Sequence, residues 1–159
     1  MTAVALIGLE GTARLAAGVA ACSPVGAAVI LRGPIGAGKT TFTGCLARAL
    51  GTEEPVRSPT FTVAHEYALS DGRRLAHLDL YRQTGALDES AWGDLEPYFD
   101  AEFIVVEWPE PLVPWLAGRD VPTWHITLEP LTHPERRLAW IRTPPGLAPA
   151  LTGSLAAHP

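Results

Sequence analysis

The sequence predicts a single three-layer α/β domain on a mixed sheet, with a parallel core and antiparallel additions. Three observations carry that reading. Two continuous apolar runs, "AAVILR" and "AEFIVVEW", have the composition of strands buried on both faces. The first runs through a glycine-rich turn directly into a helical pattern, giving the order strand, loop, helix. "FTVAHEYAL" and "RRLAHLDLY" flank Asp71-Gly72, a strong hairpin signal.

Along the chain, residues 11–22 have helical spacing at Leu15, Val19 and Cys22 and stop at Ser23, Pro24 and Gly26. The strand at 27–32 follows, then the turn. The next helix has Phe42, Cys45, Leu46, Ala49 and Leu50 on its apolar face, and Gly51 closes it. The hairpin's second arm must return to the edge where the first began. Residues 86–99 predict a third helix with an irregular apolar pattern over Leu87, Trp92, Leu95 and Tyr98. In "TWHITL" Trp124, Ile126 and Leu128 alternate onto one face, and "RRLAWIRT" follows a polar turn at 132–135, so both read as antiparallel additions. The domain is therefore expected over residues 1–143. The tail 144–159, rich in Pro, Gly and small residues, is expected to be flexible.

Composition narrows the function. Seventeen acids against twelve bases give a net charge of −5, which argues against a domain that grips nucleic acid by itself. There is no run of about eighteen apolar residues and no charged-then-apolar leader, so a cytoplasmic protein is expected. Cys22 and Cys45 lack CxxC spacing and read as reduced core residues. The chain has one lysine, Lys39, beside eleven arginines, which suggests a site needing a compact ammonium instead of a planar fork.

That lysine lies in "GPIGAGKT", which matches G-x-x-x-x-G-K-[ST] at Gly33, Gly38, Lys39 and Thr40, between a predicted strand and a predicted helix. The domain is thus P-loop NTPase-like. Such glycines let successive N–H groups turn toward phosphate oxygens, and the helix start adds its positive end. Lys39 is expected at the β- and γ-phosphates of a nucleotide, with the Thr40 hydroxyl on Mg²⁺. A P-loop also needs an acid at a neighbouring strand's carboxyl end. Glu107, ending "FIVVE", and Asp79, ending "LAHLD", are both candidates, and a surface salt bridge would explain either without function. Thr60 opens the outgoing hairpin arm, where its hydroxyl serves either a γ-phosphate or Mg²⁺, as in switch loops, or only a strand start. His77 either touches Asp79 from the same strand face or is simply packed. Trp108 either stacks on a base or partner or fills the core, and Arg82 either faces phosphate or is solvated.

"GPIGAGKTTF", "SPTF", "HLDLYR" and "VVEWPE", in this order and at these separations, make the sequence resemble the bacterial TsaE family from about Thr12 to Arg142. The resemblance implies a Mg²⁺-dependent ATPase of tRNA threonylcarbamoyladenosine biosynthesis. Such a protein works with TsaB and TsaD, resets them by ATP hydrolysis and leaves tRNA contact mainly to them. It further implies that the P-loop from Gly33 to Thr41, with Gly36, Ala37, Gly38 and Thr41 among its members, binds the triphosphate. Thr40 and Glu107 would hold Mg²⁺, Asp79 would help position water, and Thr60 would lie in a switch-like loop. Thr12 would sit near the adenosine, with Arg136 matching a late basic residue by the base. The family's usual acid and leucine after the first P-loop glycine are replaced here by Pro34 and Ile35. A chain without asparagine cannot carry the guanine-reading N-K-x-D, which favours ATP. A small-metabolite kinase and a nucleotide-dependent interaction module remain alternatives.

Overall fold

The computed structural model describes residues 1–58, 63–83, 85–148 and 151. Along the chain lie β1 (Thr2–Ile7), α1 (Gly8–Cys22), β2 (Ala27–Arg32), α2 (Lys39–Leu50), β3 (Ala64–Ala68), β4 (Arg74–Asp79) and α3 (Glu89–Leu95). They are followed by β5 (Phe103–Glu107), α4 (Val113–Ala117), β6 (Thr123–Pro130) and β7 (Arg136–Arg142). A 3-10 turn, Glu96–Asp100, extends α3, and another, Glu110–Leu112, leads into α4. The seven strands form one sheet in the order β1-β7-β6-β2-β5-β4-β3.

The two apolar runs occupy the centre, as expected. β2 and β5 pair in parallel, Ala27 opposite Phe103 and Leu31 opposite Glu107. β4 joins β5 in parallel, with Asp79 opposite Glu107. Side chains alternate along each strand, so the central strands supply two cores. Val29, Leu31, Val105 and Leu75 pack with α1 and α2 through Leu15, Val19, Phe42 and Leu46. Ile30, Val106, Ala76 and Leu78 pack on the other face with Leu95 and Leu112. These are the three layers.

The hairpin forms where Asp71-Gly72 placed it, with β3 and β4 antiparallel and Gly72 at φ 84°. The Asp71 carboxylate accepts from the Arg73 amide, an Asx-type turn that fixes the register. Gly51 ends α2 in the left-handed conformation. Ala49 is exposed, so the buried stripe of α2 is Phe42, Thr43, Leu46 and Ala47. The predicted third helix is α3 and its 3-10 extension. Asp88 caps it by accepting from the Ala91 amide.

Two expectations need correction. β6 is not simply an antiparallel addition: it pairs in parallel with β2 and antiparallel with β7, so it completes the parallel core. The N-terminal segment, unassigned from sequence, forms β1 along the β7 edge, and α1 starts at Gly8 instead of residue 11. Among the described residues after 143, Leu147 and the buried Leu151 pack against the α1–α2 core. The cysteines are free and half-buried, and burial raises the pKa of both thiols.

Candidate functional site

The parallel strands all deliver their carboxyl ends to one edge of the sheet. There β2 gives way to the loop 33–38, β5 ends in Glu107 and β4 ends in Asp79. The loop curls because Gly33, Gly36 and Gly38 take φ values of 138°, 76° and 97°, where a Cβ is strained. Gly33 is further constrained from outside: a Cβ there would lie 2.3 Å from the Leu128 carbonyl oxygen of β6. From Gly38 the chain enters α2, whose first-turn amides have no partner within the helix.

The Lys39 side chain folds back over this loop. Its ammonium donates to the carbonyl oxygens of Gly33 at 2.8 Å and Pro34 at 3.0 Å, and lies 3.9 Å from the Trp108 ring centroid. It is only 5% exposed, and burial lowers its pKa, while Glu107, Asp79 and Glu110 pull it back up. Trp108 holds this position with φ 57°, unusual for a side chain of its size. Its ring also meets Tyr81 at 5.0 Å. Pro34 and Ile35 are exposed at the loop's tip, and the Pro34 carbonyl still serves Lys39.

Glu107 is 2% exposed and bonded at both carboxylate oxygens. Oε2 accepts from the Thr40 hydroxyl at 3.1 Å, while Oε1 accepts from Thr43 at 3.2 Å and lies 2.9 Å from His77 Nε2. Asp79 is more open. Its Oδ2 accepts from the Ser58 hydroxyl at 2.7 Å and its Oδ1 from the Tyr81 amide at 3.2 Å. Lys39, Thr40, Asp79, Glu107 and Trp108 border one cavity of about 380 Å³. A second, of about 230 Å³, contains Thr12 and Leu9 of α1 and shares Gly38, Thr41 and Arg137 with the first. Lys39 and Arg137 thus meet two carboxylates, Asp79 and Glu107, around the first cavity, and the second continues it against α1.

Most of the sequence-derived residues thus converge. Gly33, Ala37, Gly38, Lys39, Thr40 and Thr41 build the loop and helix start, Thr12 reaches the second cavity, and Trp108 covers Lys39. Thr60 lies outside the described residues. Arg136 is exposed and lines neither cavity; Arg137 lines both, and its Nε donates to the Ala37 carbonyl at 2.9 Å. His77 bonds Glu107, not Asp79. Arg82 is exposed and borders neither cavity. Sequence reasoning did not reach Thr43, Ser58, Tyr81 or Arg137. Thr43 had a readable signal, since it lies three residues after Thr40 and four after Lys39 on one helix face.

The family model for "Threonylcarbamoyl adenosine biosynthesis protein TsaE" matches residues 8–138, most of the chain and all of this site's described residues. The chain belongs to the TsaE family. Relatives described as tRNA threonylcarbamoyladenosine biosynthesis protein TsaE include one from Streptomyces coelicolor, 47% identical over 52% of this chain and 56% of its own. Another, from Aquifex aeolicus, is 40% identical over 64% of this chain and 71% of its own. The match to the Streptomyces relative thus spans little more than half its length. The crystal structure of Bacillus subtilis YdiB superimposes with a TM-score of 0.67 and 27% identity, covering 99% of this chain and 95% of that one. The family's description and the relatives' names refer to tRNA threonylcarbamoyladenosine biosynthesis. No helix among the described residues is long and apolar enough to cross a membrane.

Proposed function

We propose that this TsaE protein is a Mg²⁺-dependent ATPase that acts with TsaB and TsaD in tRNA threonylcarbamoyladenosine formation, its hydrolysis resetting that pair between turnovers. One observation carries the reading. The ammonium of Lys39, the unpartnered amides of α2 and the Thr40–Glu107 pair converge on one cavity at the carboxyl ends of parallel strands.

The donor set suits magnesium. A hydroxyl that gives its hydrogen to a carboxylate keeps lone pairs for a cation, so Thr40 and Glu107 Oε2 offer hard oxygens side by side. Among the described residues no cluster of three or more His, Cys, Asp or Glu could hold a metal ion. The remaining ligands would be phosphate and water oxygens, in keeping with magnesium's habit. When bound, the ion neutralises charge developing on the phosphates.

This chain's residues do the rest. The loop amides orient the triphosphate and Lys39 exchanges its carbonyl partners for phosphate oxygens, while the half-exposed Asp79 is placed to orient an attacking water. The second cavity beside Thr12 and Arg137 has room for the nucleoside. A net charge of −5 is consistent with tRNA contact resting mainly on TsaB and TsaD.

The test is ATP hydrolysis with and without purified TsaB–TsaD, using γ-labelled ATP. Free phosphate is expected to appear faster with the pair present. Label on a small acceptor would instead mark a kinase. Lys39→Ala should lower hydrolysis by about 10²-fold or more. Glu107→Ala should abolish turnover while still binding nucleotide. Wild-type multiple-turnover modification by both variants would refute the mechanism.

A further inference from the structure

His77 has no part in the function as read so far, yet it is completely buried on β4 directly behind the site. Its Nε2 lies 2.9 Å from Glu107 Oε1, and Nδ1 has no partner among the described residues. The hydrogen therefore belongs on Nε2, because a lone pair there would face the carboxylate's own.

The other bond to Oε1 is weaker. Thr43 has one hydroxyl hydrogen, divided between the Lys39 carbonyl at 3.1 Å and Glu107 at 3.2 Å. His77 is the undivided donor. With Oε1 held from the interior, the carboxylate can present only Oε2 toward Thr40 and the cavity.

We infer that His77 is a positioning residue: its Nε2–H locks the rotation of the Glu107 carboxylate and so sets the affinity of the site for magnesium. The inference rests on the reading of Glu107 as a magnesium-holding residue. His77 does not touch the cavity, so its removal acts on metal dependence and leaves metal-free nucleotide binding intact. Loss of a hydrogen bond behind a metal-holding group typically weakens metal affinity by about 10–100-fold.

The experiment compares His77→Met with His77→Gln, side chains of similar reach of which only Gln offers an N–H donor. A fluorescent ATP analogue is titrated with and without Mg²⁺, and ATP hydrolysis is followed across Mg²⁺ concentrations. His77→Met is expected to bind the analogue normally without Mg²⁺, to lose most of the Mg²⁺-linked gain in affinity and to need about tenfold more Mg²⁺ for half-maximal hydrolysis. His77→Gln should recover most of both losses. Wild-type Mg²⁺ dependence in His77→Met, or equal defects in Met and Gln, would overturn the inference. Should neither variant fold, the ¹⁵N spectrum of the His77 ring in the wild-type protein decides, with Nε2–H expected and Nδ1–H refuting. Glu107→Gln separates the two levels. If it keeps wild-type Mg²⁺ dependence, the reading of Glu107 fails and carries the inference with it; if it loses that dependence and His77→Met does not, the inference alone fails.

Discussion

Arg136 and Arg137 are adjacent in sequence and point to opposite faces of β7. Arg137 shares the inward parity of Ala139 and Ile141, which brings it over the loop to the Ala37 carbonyl; Arg136 faces out, opposite Ile7 of β1. Arg137→Ala should therefore weaken binding of a fluorescent ATP analogue by roughly one hydrogen bond to a charged group, about tenfold. Arg136→Ala should stay within about twofold. A reversed order in a side-by-side titration would restore the sequence-level assignment. The sequence held the parity of this strand, since Ala139 and Ile141 alternate with Arg137. What it lacked was the position of the loop that gives that face its use. His77 teaches a related lesson. Sharing a strand face with Asp79 was legible, but the carboxylate it meets belongs to β5, thirty residues further on, and only the parallel register brings them together.

At the scale of elements, what the sequence disclosed were the local units: the β2–loop–α2 step, the β3–β4 hairpin and the apolar strand ending in Glu107. Each is specified by nearby residues, a phosphate-loop pattern, an Asp-Gly turn or a continuous apolar run. β1 escaped because it is a short edge strand whose sole sheet partner among the described residues is β7, far along the chain. The parallel pairing of β6 escaped for the same reason, since its alternating pattern suits one buried face in either direction. After β7 the composition offers few apolar residues, and two of them, Leu147 and Leu151, meet the core. Leu151→Ala should lower unfolding free energy by about 2–4 kcal/mol in a denaturant titration. A change below about 0.5 kcal/mol would mean that the docking is not stabilising.

Across the whole molecule charge is unevenly shared, although its sum is acidic. On β6, opposite Ile30 of β2, half-buried His125 lies beside Arg142, its partner on β7, and Arg32, which also approaches Glu110 at 3.6 Å. Burial first, then Arg142 and Arg32, push its pKa down to about 4. The unfolded chain therefore binds a proton here before the folded one does. This contribution to stability is complete above about pH 6.5, declines as pH falls and is lost near pH 4. Thermal unfolding across that window should show a shallower acid decline in His125→Gln than in the wild type; identical slopes would remove His125 from the account. The contact between Arg137 and the Ala37 carbonyl joins residues 100 positions apart, while Leu128 braces Gly33. On the ribosome, the stretch that lays down the glycines emerges well before the strands that hold them in shape. A nascent chain still lacking β7 possesses the motif without the arginine that holds it, so the finished form of the loop waits on a strand laid down 100 positions later.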